Sequence, residues 1–140
     1  MSYTIHEVAQ KLGISTYSIR YYHDHGMLPN VKRDANNNRV FNDVDLEGLH
    51  IILCLRGTGM PVERIQHYLD LVQQGESTVP ERYEMMQAQQ ERTLHEIADL
   101  KNHLSTINFK VDHYAEIIKT HQPDSFVPAS MRGTATNQTA

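Results

Sequence analysis

Thr4-Ile5-His6-Glu7-Val8-Ala9-Gln10-Lys11-Leu12-Gly13-Ile14-Ser15-Thr16-Tyr17-Ser18-Ile19-Arg20-Tyr21-Tyr22-His23-Asp24-His25-Gly26 is the stretch that decides the fold. Thr4 and Glu7 have capping-box spacing, in which the hydroxyl accepts from the Glu7 backbone N–H and the carboxylate reaches back to the Thr4 N–H. Ile5, Val8, Ala9 and Leu12 then form one apolar stripe at helical period, and Gly13 can take the left-handed conformation that ends a helix. Ser15 is a good cap for a second helix from Thr16 to about His25, closed by Gly26. Two short helices across a Gly-containing turn have helix–turn–helix spacing, although spacing alone also fits two helices that merely pack together.

The second helix separates these readings by what it leaves outside. Ile19 is expected to face the core with Ile14, so Thr16, Tyr17, Ser18 and Arg20 face out, with one of Tyr21 and Tyr22 in the core and the other at the outer face. Arginine can bond guanine edges or phosphates, and hydroxyls can donate to phosphate oxygens, so such a face suits a DNA groove.

The chain then reads Val31-Lys32-Arg33-Asp34-Ala35-Asn36-Asn37-Asn38-Arg39-Val40-Phe41. Asparagine tolerates positive φ, so the run of three predicts a hairpin turn with Arg33 and Arg39 near its base. A basic hairpin beside a recognition helix acts as a wing on the next stretch of backbone; the alternative is an ordinary solvated loop. Asn42 caps a third helix, Asp43 to about Arg56, with an acidic first turn suited to the positive helix end. Gly57 and Gly59 break it, and Pro61 opens a fourth helix to about Gln74 with Val62, Ile65, Leu69 and Val72 on its buried side. Gly75 to Val79 reads as a hinge. Residues 1–75 are thus expected to be a DNA-binding winged helix–turn–helix domain in a mainly α chain.

From Tyr83 one register runs through Met86, Gln90, Thr93, Ile97, Leu100, Leu104, Ile107, Val111, Tyr114 and Ile118 in steps of three and four, a coiled-coil seam. A helix of about 38 residues spans roughly 57 Å at 1.5 Å per residue, too long for the small preceding domain to cover. Its simplest partner is a second copy. Residues 76–121 are therefore expected to be linker and dimerisation helix. Residues 122–140, rich in Pro, Ser, Thr, Gly and Asn without period, are expected to be a disordered tail.

Composition bounds the function. One domain plus an extension is what 140 residues allow. No apolar run approaches the roughly 18 residues of a membrane span, and no basic region precedes a hydrophobic stretch at the N-terminus, so a cytoplasmic location is expected. The net charge is −4, yet residues 11–41 carry five cations against two carboxylates, a local +3. Phosphate binding follows local charge, so DNA contact is expected at the N-terminal end.

Tyr3-Thr4-Ile5-His6-Glu7-Val8-Ala9, Gly13-Ile14-Ser15, Ile19-Arg20-Tyr21-Tyr22, Gly26-Met27-Leu28-Pro29, Arg39-Val40-Phe41 and Asp45-Leu46 together resemble the MerR family of transcriptional regulators. The resemblance covers about the first 75 residues. It implies a second wing built from the third and fourth helices and an antiparallel coiled-coil dimer. It also implies a palindromic promoter operator that the activated protein bends and untwists so that RNA polymerase engages. Carried over position by position, it places Thr16, Tyr17, Ser18, Arg20, Tyr21, Tyr22, Arg39 and Phe41 at or near DNA, beside the basic wing residues Lys32 and Arg33. Phe41 stands where a tyrosine is common, and Asn38 where a glycine is common in the wing turn.

The effector is less legible. The resemblance implies that metal-sensing members carry cysteines at the start of the rod and in a loop after it, where this chain has none, and His95, His103 and His113 lack the i, i+4 spacing of a helical metal pair, so no metal and no cofactor is expected. Cys54 is the one cysteine. The stretch Ile51 to Pro61 resembles the MerR-like subgroup that responds to aldehydes, other electrophiles or thiol stress through one cysteine. His50 at i−4 and Arg56 are the cationic groups that would activate its thiol. The opposing reading makes Cys54 a small hydrophobe on a buried helix. A regulator with a non-cysteine effector, or none, is the alternative. A small cysteine enzyme using Cys54 with His50 or His67 lacks an oxyanion loop and an orienting third residue, so no catalytic residue is expected. A coiled-coil scaffold whose head binds another protein would show no salt-dependent binding to duplex DNA, which a phosphate reader must show.

Overall fold

The computed structural model describes residues 1–121; the expected tail, 122–140, lies outside them. The elements run β1 (Ser2–Tyr3), α1 (Ile5–Leu12), α2 (Thr16–Asp24), β2 (Lys32–Arg33), β3 (Arg39–Asn42), α3 (Asp43–Gly57), α4 (Val62–Gln74), a short 3-10 turn (Glu76–Thr78) and α5 (Val79–Thr120). The capping box at Thr4 is present, with Glu7 N–H donating to the Thr4 hydroxyl at 3.1 Å and Thr4 N–H donating to the Glu7 carboxylate at 2.9 Å. Those same bonds hold the Glu7 carboxyl below its ordinary range. Gly13 ends α1 at φ 68°, the left-handed geometry that a Cβ would strain. The helix–turn–helix is therefore set by its caps as the sequence indicates.

A three-stranded antiparallel sheet of order β1-β3-β2 closes the domain, with Tyr3 opposite Phe41, Lys32 opposite Val40 and Arg33 opposite Arg39. β1 is not legible in the sequence, because two residues carry no alternation to detect. Asn42 ends β3 and caps α3 by a second reciprocal box, its side chain accepting from Asp45 N–H and its own N–H donating to Asp45, both at 2.9 Å. One residue thus turns strand into helix without a loop.

The core gathers Val8 of α1, Ile19 and Tyr22 of α2, Phe41 of β3, Leu49 and Ile52 of α3 and Ile65 of α4, each at most 1% exposed. The four helices α1 to α4 and β3 each contribute one or two of these large side chains, so each depends on its neighbours for burial. On α4 the buried residues are Ile65 and Leu71, whereas Val72, expected inside, is 40% exposed; Val62 and Leu69 are half-buried. Pro61 stands just ahead of α4 as its N-cap.

The expected hinge is instead pinned. Thr78 is buried, and its hydroxyl donates to the Leu71 carbonyl at 2.5 Å, while Arg82 Nη2 donates to the Gly75 carbonyl at 3.0 Å. The first turns of α5 then bury Met85 and Gln89, and Gln89 Nε2 donates to the Thr58 carbonyl at 3.0 Å. One compact unit therefore runs Met1–Thr93, past residue 75, and a second begins at Leu94. In the second unit the seam residues Ile97, Leu100, Leu104, Ile107, Val111, Tyr114 and Ile118 are all exposed on the single chain.

Phe41 is fully buried, so Phe41→Ala should cost about 3 to 5 kcal/mol of unfolding free energy through the cavity it leaves. Urea denaturation measures this, and a loss below about 1 kcal/mol would contradict its place in the core.

Candidate nucleic-acid interface

The outer face of α2 is built from its first two turns. Ser15 caps the helix, accepting from Ser18 N–H at 3.1 Å, and this leaves Tyr17 and Arg20 exposed with Thr16 and Ser18 half-buried beside them. Tyr17 is 75% exposed, a large aromatic presented to solvent. Arg20 Nη1 donates to the Thr16 hydroxyl one turn earlier at 3.2 Å, which lays the guanidinium along the helix toward its N-terminal end. Hydroxyls, a guanidinium and unpaired helix-end N–H groups converge there, all of them donors suited to an anion.

The two tyrosines divide as expected. Tyr21 is half-buried with its ring stacked on His25 at 4.0 Å between centroids. Tyr22 is 1% exposed, so its ring is core and cannot enter a groove. Its hydroxyl accepts from Arg56 Nη1 at 2.6 Å, and this bond sets the end of α3 against α2. Phe41 also leaves the set of surface residues: its ring is fully enclosed because β3 turns that side chain toward α1, α2 and α3.

The wing is held by its own aspartate. Asp34 accepts from Asn36 N–H and Asn38 N–H at 2.9 Å each, and these bonds, that from Asn38 foremost, hold its carboxyl below the usual range. The positive φ falls on Asn37, at 64°, so Asn38 does not need a glycine's freedom. Arg33 Nη1 donates to the Asn37 carbonyl at 2.9 Å, closing the turn from the strand side. Lys32 and Arg33 both remain exposed.

Arg39, by contrast, is turned inward, its side chain only 15% exposed. Nε donates to His23 Nδ1 and Nη2 to Asp24, both at 2.8 Å, so the wing is tied to the recognition helix by a two-point contact. Arg39 thus positions the interface rather than being presented by it. Two hollows flank α2. One of about 540 Å³ is lined by Thr4, His6, Arg20, Arg33 and Asn38 among others, and one of about 350 Å³ by Tyr17, Ser18, Tyr21, Tyr22, Arg56 and Val62. Arg56 and Val62 were not expected at this face, because a contact across 34 residues leaves no mark in sequence spacing.

Cys54 lies apart from these hollows, on α3. It is exposed, so the reading as a buried small hydrophobe is not met in this chain. Arg56 is engaged by Tyr22, and His67 pairs with Glu81 at 3.2 Å, so neither is set against the Cys54 thiol. Among the described residues no three His, Cys, Asp or Glu side chains come together to hold a metal, and no helix is long and apolar enough to cross a membrane.

Residues 3–71 match the profile of the MerR HTH family regulatory proteins, and residues 46–108 that of the MerR DNA-binding region. An uncharacterised HTH-type transcriptional regulator of Haemophilus influenzae is 38% identical over 114 residues, which span 81% of this chain and 84% of that protein. The chain belongs to the MerR family of transcriptional regulators. Among solved MerR structures, HiNmlR, described as a MerR family regulator lacking the sensor domain, bound to promoter DNA, superposes with TM-score 0.81 at 35% identity, over 87% of this chain and 92% of that one. A MerR family regulator from Bacillus thuringiensis superposes at 0.72 with 36% identity, over 80% and 98%. MerR proteins are DNA-binding regulators and not enzymes, which places the exposed donors of α2 and the wing in a DNA-binding fold.

Arg20 is exposed and bonded only within its own helix, so Arg20→Ala should leave the thermal midpoint unchanged. It should weaken operator binding by about 1 to 3 kcal/mol, measured by anisotropy at fixed salt. Unchanged affinity would remove Arg20 from the interface.

Proposed function

We propose that this MerR protein works as a homodimer that binds a palindromic promoter operator with two copies of α2 and activates transcription by bending and untwisting the DNA so that RNA polymerase engages. The observation that carries this reading is the bare stripe on α5. Leu100, Leu104, Ile107 and Val111 are each more than half exposed, at seam spacing, on a helix of 42 residues. Water does not tolerate such a stripe cheaply, and a second copy offers a matching one. Pairing then places two basic heads on one duplex, the arrangement a palindrome requires.

Cys54 is the proposed sensor of aldehyde, electrophile or thiol stress. Its thiolate adds to the carbonyl carbon of formaldehyde or methylglyoxal, the carbonyl oxygen taking a proton from water, to give a hemithioacetal; a quinone gives the thioether of the hydroquinone. Its position supports a route outward. Arg56, two residues on, holds Tyr22 of α2, and Thr58, one turn on, receives Gln89 of α5. An adduct at Cys54 therefore sits beside the turn that grips both the recognition helix and the start of the long helix.

Two measurements test these claims separately. Sedimentation should give a dimer at micromolar concentration, and Leu104→Arg, a charge set in the seam, should give a monomer that still unfolds cooperatively; a wild-type monomer would end the dimer reading. A reporter driven by the operator should respond to formaldehyde or a quinone in the wild type and not with Cys54→Ser, which keeps its operator affinity. Full induction of that variant would end the sensor role.

A further inference from the structure

We propose that His23 is a pH-sensitive latch between the wing and the recognition helix: neutral, it holds Arg39, and protonated, it releases the wing and weakens DNA binding. This rests on the reading of α2 and the wing as the DNA interface, and it adds regulation to that site.

The geometry assigns the proton. An arginine guanidinium has no acceptor and stays charged, so the 2.8 Å contact from Arg39 Nε requires a lone pair on His23 Nδ1. The imidazole must then be neutral, with its proton on Nε2. Adding a second proton replaces an acceptor by a donor against a donor and sets two cations in contact. Arg39 keeps its bond to Asp24, so the side chain has a pivot about which to swing rather than a place to stay.

The groups facing His23 from each neighbouring element decide how readily this happens. Arg39 of β3 and Arg33 of β2 oppose the charge, whereas Asp24 of α2 and Asp45 of α3 favour it. Burial of the ring is the largest influence and, with the two arginines, holds the His23 pKa below its ordinary value. An unfolded or released His23 thus takes the proton more readily than the latched one. The contact is complete above the usual imidazole range of about 6.5 and is lost as the pH falls from there through the lower, latched value. The wing carries Lys32 and Arg33, so release removes one of the contacts that fix both cations relative to α2 while β3 stays anchored by Phe41. DNA phosphates pull the other way, since they favour a protonated histidine. The sign of the pH effect therefore discriminates between a latch and a mere extra charge.

The test compares the full-length protein with His23→Asn, whose Oδ1 can accept from Arg39 and does not titrate. Operator binding is followed by anisotropy from pH 8 to 5.5 at constant salt; the other histidines are common to both proteins, so the difference isolates His23. Wild-type affinity should fall roughly tenfold, the order expected for one lost charge-assisted bond, while the variant changes by less than about twofold. Parallel curves, or wild-type affinity rising in acid, would overturn the latch. The Arg39 Nε–H resonance of DNA-free wild type provides an independent reading. It should be sharp at pH 7.5 and vanish in step with protonation of the His23 ring, followed by the ring's own resonances, and its survival once that ring is protonated would overturn the latch. Failure to bind DNA at any pH would instead overturn the interface reading, with the resonance still deciding the latch.

Discussion

The recognition helix is held in place by two arginines that arrive from different parts of the chain. Arg39 reaches α2 from the wing through His23 and Asp24, and Arg56 reaches it from the end of α3 through the Tyr22 hydroxyl. A nine-residue helix has little stability of its own and no means of fixing its rotation. Ile19 and Tyr22 anchor it by burial, and burial alone tolerates small rolls and slides. Directional bonds at two points remove that freedom, so Tyr17, Ser18 and Arg20 present one fixed face. Affinity gained from a preorganised face is not spent again on ordering it.

The same logic joins the head to the long helix. Thr58 lies one turn past Cys54 and takes both a backbone and a side-chain bond from Gln89, while Arg56 between them grips α2. The end of α3 is therefore a junction at which the recognition helix and the first turns of α5 are tied to one short segment. A perturbation of that segment has few ways to relax without disturbing a neighbour, because Leu55 and Met60 on either side are buried.

Most of the fold was legible because its punctuation is local. Thr4 with Glu7, Ser15, Asn42, and the glycines at 13 and 26 act within three or four residues, and each sets a helix end close to where the sequence indicates it. The exposed apolar stripe on α5 was legible for the same reason, since period is a local property. What the sequence concealed was set by distance. Phe41 looks like a wing residue until β1, two residues long, pairs across it and turns its ring inward. Tyr22 looks like a partner of DNA until α3 delivers Arg56 to its hydroxyl. Arg39 looks like a free cation, and only the folded wing shows that its charge is spent on His23 and Asp24. Gly75 to Val79 has a linker's composition, but the Thr78 hydroxyl and Arg82 close it against the preceding carbonyls.

In the dimer we propose, two such heads present α2 to successive major-groove segments on one face of a duplex. Methylation of guanine N7, which blocks the major groove alone, tests this most directly when bound and free fragments of the promoter are compared. Interference should fall in two symmetric clusters separated by a whole number of turns of about 10 base pairs each. A single cluster, or binding indifferent to guanine methylation throughout the protected site, would contradict it.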